Sequence, residues 1–172
     1  MESMPTIIVI AHNIRSTHNV GAIFRTAEGF GVTKIILSGY TPYPAIPGDS
    51  RLPHIAAKLT TQIHKTALGA ETMVPFEYQQ EPDFARLRHD GYTIAGLEQD
   101  SRSVPLPEYL VPSKIALLIG EEVHGLTDEQ RSECSDLLEI PMYGQKESFN
   151  VSVATGIALY QLSIGKSATM TA

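Results

Sequence analysis

Residues 6–37 read TIIVIAHNIRSTHNVGAIFRTAEGFGVTKIIL. Two short β-branched runs, 6–10 and 34–37, bracket a stretch in which Val20, Ile23, Phe24 and Ala27 recur at i, i+3, i+4 and i+7. That spacing lays one apolar stripe along a helix, and Gly29 and Gly31 end it. Strand, helix and strand in this order form a βαβ opening.

The pattern continues outward from there. Segments 72–76, 92–97, 115–119 and 137–140 read as strands, and 83–89 and 127–134 as short helices between them. The alternation predicts an α/β fold, a parallel sheet with helices on both faces. Residues 39–53, rich in Pro, Gly, Tyr and Ser, read as a loop at the carboxyl end of the second strand, where open α/β sheets commonly carry function. A last helix over 148–162 has apolar residues (Val151, Val153, Ala154, Ile157, Ala158, Leu159, Leu162) spread too widely for one stripe. It is expected to be buried on more than one side, by its own domain and by a partner subunit.

At 172 residues, with 42% apolar and 19% charged, the chain has the size and make-up of one folded domain spanning 1–172. No apolar run approaches the ~20 residues that cross a bilayer, and residues 1–10 have no basic, leader-like start. Cys134 is the only cysteine, which excludes an intramolecular disulfide and a cysteine zinc cluster and fits a reducing cytoplasm. The six histidines show no close metal-ligand spacing, so no metal is expected. Net charge is −6, but through Lys65 six basic residues face three acidic ones, a balance of +3 that leaves −9 in the remainder. Such asymmetry lets a local basic face meet a polyanion while the body repels it, although uneven surface charge alone would look the same.

Three segments carry candidate chemistry. In 12–25, Arg25 points almost opposite the apolar stripe, toward a cleft or solvent, and Asn19 sits near the helix start, where an amide caps or touches a ligand. In 118–126 a strand ends in a turn bracketed by Gly120 and Gly125, a shape that lets a ligand approach backbone; an ordinary acidic turn would read alike. In 140–152 a strand runs through a polar loop to a helix start, where Ser148 or Asn150 can cap or bind. Singly, each of these residues also reads as a plain cap or a solvated side chain.

Together and in order, HNVGAIFRTAEGFGV (18–32), LLIGEEVHGL (117–126) and IPMYGQKESFNVSVATGIALYQL (140–162) resemble the three motifs of the SPOUT superfamily, specifically the SpoU/TrmH family of RNA 2′-O-ribose methyltransferases. The resemblance spans nearly the whole chain. It implies a three-layer α/β/α domain whose carboxyl end forms a deep trefoil knot, which pattern alone would not suggest. It implies a homodimer and S-adenosyl-L-methionine bent into a pocket, touching Leu97, Gly120, Ile140, Met142 and Ser148, with Gly96 and Phe149 as weaker candidates. A G-x-G-x-x-G after the first strand, which a Rossmann methyltransferase would carry, is missing.

By the same resemblance Asn19, Arg25, Glu122, Ser148 and Asn150 surround the ribose hydroxyl and the donor, with the first motif of one subunit completing the site of the other. A guanidinium is a poor base, so Arg25 is expected to bind phosphate and stabilise charge developing on the 2′-oxygen. The RNA is transfer or ribosomal, with transfer RNA the first choice. Arg15, His18, Arg51, His54, Lys58 and Lys65 are the candidate RNA contacts, and the role of His124 stays open. The rival readings are a knotted RNA-binding module without catalysis and a nucleotide-binding α/β protein unrelated to RNA.

Overall fold

The computed structural model describes residues 4–168, so the first residues of the segment read for a leader lie outside it. The chain runs β1 (Thr6–His12), α1 (Thr17–Gly29), β2 (Lys34–Ser38), α2 (Pro53–Ala67), β3 (Phe76–Gln79), α3 (Phe84–His89), β4 (Thr93–Leu97), β5 (Val104–Pro105), β6 (Lys114–Ile119), α4 (Asp128–Glu133), β7 (Asp136–Glu139) and α5 (Val151–Ile164). The strands form one sheet in the order β3-β2-β1-β6-β4-β7-β5, with every neighbouring pair parallel.

β1 is apolar from Ile7 to Ala11 because both of its faces are covered. Ile7, Val9 and Ala11 join one cluster with side chains of α1, α2 and α5, while Ile8 and Ile10 join another with Leu87 of α3. β6 alternates likewise, Ile115, Leu117 and Ile119 against Ala116 and Leu118. Continuous apolar runs of this kind are what a sheet buried on both sides requires.

α1 starts at Ser16, whose hydroxyl accepts the Asn19 N–H at 3.2 Å. It crosses α2 at Gly21, where a Cβ would stand 2.1 Å from Thr66 Oγ1 and 2.3 Å from the Ile63 carbonyl oxygen. Thr66 Oγ1 donates to the His18 carbonyl at 2.9 Å, so the two backbones are held at glycine distance.

Several elements differ from the sequence reading. α2 falls in a stretch where the sequence pattern predicts no element, because only Ala56, Ile63 and Ala67 of its apolar positions are buried. Residues 72–75 are not a strand: β3 begins at Phe76, 70–72 form a single 3-10 turn, and Ala70 within it and Val74 after it fill the core. Glu71 accepts the Gly69 N–H at 2.9 Å and pairs with His64 Nδ1 at 2.5 Å, which fixes that turn. The last helix starts at Val151 with Asn150 as its cap, and Ser148 precedes it. Thr155, Ala158, Leu159 and Leu162 are buried, whereas Val153, Ile157, Tyr160 and Ile164 line the opposite, exposed face.

A glycine-to-alanine change inside a helix ordinarily gains up to ~1 kcal/mol. At Gly21 the collision with the Ile63 carbonyl reverses the sign, and Gly21→Ala is expected to lose on the order of 1–3 kcal/mol of stability. Urea unfolding of the two proteins measures this, and a gain in stability would mean that α1 and α2 do not meet at this glycine.

Candidate functional site

Parallel strands end on a common edge, and ligands of open α/β sheets bind outside the carboxyl ends. Here the segments that follow β4, β6 and β7 enclose a cavity of about 330 Å³ at that edge. The segment that follows β1 is tied to the same place by Glu122. Its carboxylate accepts the Arg15 N–H at 3.1 Å on both oxygens, the Ser16 N–H at 3.2 Å and the Asn19 side-chain amide at 3.1 Å. Burial works to raise its pKa, yet these donors, Arg15 N–H foremost, outweigh it and hold the group below the usual carboxylate range.

Asn19 continues the chain of contacts. Its Oδ1 accepts Asn150 Nδ2 at 3.2 Å, and Asn150 Oδ1 accepts the Ser152 N–H at 2.9 Å and the Ser152 hydroxyl at 2.6 Å. One amide therefore caps α5 and reaches α1 at once. Asn19 and Asn150 are placed by helix starts on different segments, and Glu122 supplies the charge that orients them.

The turn after β6 is folded on itself. A Cβ on Gly120 would stand 2.7 Å from the Gly125 carbonyl oxygen, and Gly125 has φ +67. The Glu98 carboxylate, next after β4, accepts the Leu126 N–H at 2.7 Å. Glu121 accepts the His124 N–H at 2.6 Å and pairs with Arg15 at 2.7 Å. The His124 N–H bond first, and its ring and the Val123 N–H with Arg15 after it, hold Glu121 below its ordinary pKa against an opposing burial effect. His124 is thus a brace for Glu121, its ring Nδ1 lying 2.9 Å from the same carboxylate.

Leu97, Gly120, Ile140, Met142, Ser148, Phe149 and Glu122 stand in the cavity wall. Gly96 does not: a Cβ there would meet Leu126, Cys134 and Leu137, so this glycine serves packing on the far side of β4. Arg25 is exposed on α1 and does not line the cavity, and its side chain makes no hydrogen bond or ion pair among the described residues. Glu98 was missed in the sequence, although a polar residue directly after a strand is the signal that marks this edge.

The candidate RNA contacts divide. His54, Lys58 and Lys65 are exposed on one face of α2, and His18 is exposed on α1. Arg51 is not free for phosphate. Its guanidinium binds Asp49 at 2.6 Å and the Tyr43 and Pro44 carbonyls, and lies 3.5 Å over the Tyr43 ring. Among the described residues no cluster of His, Cys, Asp and Glu is arranged to hold a metal, and no helix is long and apolar enough to cross a membrane. Cys134 is half-buried, and burial pushes its thiol up to about 11.

The profile of the SpoU rRNA Methylase family matches residues 49–160. The chain belongs to the SpoU rRNA methylase family. Among SpoU relatives, the 23S rRNA (guanosine-2'-O-)-methyltransferase RlmB of Coxiella burnetii is 32% identical over 162 residues, covering 92% of this chain and 58% of that protein. The chain spans a little over half the length of such curated relatives. An AdoMet-bound rRNA methyltransferase from Sinorhizobium meliloti shares the fold with TM-score 0.76 and 27% identity, over 93% of this chain and 56% of that one. The A. aeolicus TrmH/SpoU tRNA modifying enzyme matches with TM-score 0.74 and 26% identity, over 91% and 73%.

Because the folded pKa of Glu122 lies below its ordinary 4.5, its ionised form contributes stability above that value, lost as pH falls through the lower folded pKa. Glu122→Gln is expected to cost about 1–3 kcal/mol near neutrality, by leaving donors of the 15–19 turn unpaired. Urea denaturation across a pH series should find this gap narrowing below pH 4.5. A gap independent of pH would remove charge from the role of Glu122.

Proposed function

We propose that the chain transfers a methyl group from S-adenosylmethionine to a ribose 2′-oxygen of ribosomal RNA. The observation that carries this reading is the convergence of three loop segments on one cavity, two of which Asn19 of α1 joins through Glu122 and Asn150. The 23S rRNA relatives favour ribosomal over transfer RNA.

The cavity fits the donor. Its volume is at the lower end of the roughly 300–1,000 Å³ typical of small-molecule sites, and Glu98, Glu121, Glu122, Glu139 and Glu147 in its lining suit a cationic ligand. Residues Leu97, Gly120, Ile140, Met142 and Ser148 would hold it, Phe149 beside them. When bound, S-adenosylmethionine supplies an electrophilic methyl group on a sulfonium. The protein's contribution is alignment: the turn at Gly120 and Gly125 fixes one wall, and Asn150, held by Asn19, caps α5, whose Val151 and Ala154 line another.

Arg25 enters from a second copy. Val153, Ile157, Tyr160 and Ile164 form an exposed, largely apolar stripe on α5. α1 lies beside it, with Thr26 against Gly156 and Phe30 against Tyr160, so Arg25 flanks that face. Docking two copies there brings the arginine of each to the other's cavity, where its forked donors bind phosphate and stabilise charge on the 2′-oxygen. The trefoil knot belongs to this reading. It is supported by β4 lying between the later strands β6 and β7, and by Lys166 and Ala168 pairing with Val111 ahead of β6.

Calorimetry with S-adenosylmethionine is expected to give micromolar binding, and nucleoside mass spectrometry of ribosomal RNA from cells with and without the gene a missing 2′-O-methyl nucleoside. Failure of the purified protein to bind the donor would leave a non-catalytic RNA-binding module. Arg25→Ala and Asn150→Ala should each lose methyl transfer. Mixed in equal amounts and allowed to exchange subunits, they should recover about a quarter of wild-type activity, since half of the dimers carry one intact shared site. No recovery after demonstrated exchange would place Arg25 in its own subunit's chemistry.

A further inference from the structure

A second concavity, about 700 Å³, opens on the same sheet edge between the turn after β1, the 39–53 loop and α2. Its frame is rigid. The Tyr43 and Tyr78 rings stack at 4.2 Å with 17° between their planes, and Arg51 covers the other face of Tyr43. Tyr78 donates its hydroxyl to the Gly39 carbonyl at 2.7 Å, and the Tyr40 N–H donates to Asn13 Oδ1 at 3.1 Å.

Held by these contacts, Tyr40 stands at the groove wall with 55% of its surface exposed. Arg15 stands in the same groove wall as Tyr40 and also pairs with Glu121 on the donor cavity at 2.7 Å. One arginine thus joins the groove to the proposed methyl-transfer site. From the opposite wall Gln62 offers an amide, and Lys58 and Lys65 lie on the adjoining face of α2, where a phosphate chain leaving the groove would pass.

We propose that this groove receives a nucleobase flanking the methylated nucleotide, with Tyr40 as its stacking platform. Exposed aromatic rings beside basic residues are how proteins hold unpaired bases, and ring-to-base stacking tolerates any sequence. Arg51 then serves by rigidifying the loop, the Tyr40 backbone is held by Asn13, and Arg15 meets phosphate. The inference rests on RNA being the substrate, but not on the donor being S-adenosylmethionine.

The test uses fluorescence anisotropy with two labelled probes, a decamer of adenylate and a decamer of the same backbone without bases, at low salt. The wild-type chain is expected to bind the adenylate decamer more tightly. Tyr40→Ala should weaken that probe by roughly tenfold, in line with loss of one stacked base, and leave the abasic probe unchanged, while Tyr40→Phe retains wild-type binding. Equal weakening of both probes, or no weakening, overturns the proposal. Should Tyr40→Ala fail to fold, photocrosslinking of the wild type to a 5-iodouridine decamer decides: adducts at 39–43 support the groove, and adducts confined to α2 sink it. Donor calorimetry separates the two readings. Tyr40-dependent base preference without donor binding removes the methyltransferase and keeps the groove, and the converse removes only the groove.

Discussion

A single carboxylate, that of Glu122, ties the turn after β6 to the turn before α1, which are far apart in sequence. Its partners are mostly backbone N–H groups, which occur at fixed places whatever the side chains are, so the tie sets the path of the chain as well as the orientation of Asn19. Through Asn19 the same influence reaches Asn150 and the first turn of α5. Ionised, partly buried and matched by several donors, the group behaves as a preorganised anchor. The cavity walls can then be built from loops without being loose.

Much of the sheet was legible in the sequence because its strands are buried on both faces. Segments such as 115–119 are continuous apolar runs bounded by polar residues, and their positions shift by only a residue or so in the structure. α2 escaped notice for the opposite physical reason. It is a surface helix with a thin buried stripe, and its stability comes from the close crossing with α1 at Gly21, which no local pattern announces. Residues 72–76 resemble a strand because Val74 is apolar and buried, but it follows a turn pinned by Glu71 and His64, so its apolar character reports burial and not extension.

The site was legible as motifs and opaque as geometry. Motif order located Glu122, Asn19 and Asn150, but their mutual hydrogen bonds join segments that only the fold brings together. Gly96 and Gly120 look alike in sequence, yet one packs beneath a strand and the other shapes the cavity wall. Arg51 reads as a free cation until its carbonyl and carboxylate partners are seen. Arg25, by contrast, was marked by its position on the polar side of α1, and the structure leaves it exposed there.

The position of β1 inside the sheet, paired on both edges, has a bearing on biosynthesis. β1 pairs with β2 nearby, but its other neighbour, β6, starts only at Lys114. At roughly 5–20 residues per second, a ribosome needs several seconds to deliver that partner. During that interval a strand with apolar side chains on both surfaces offers its open edge to any other nascent copy, the situation that invites intermolecular pairing. For this topology, the pace of translation and the attention of a holdase bear on yield as much as the stability of the finished sheet does.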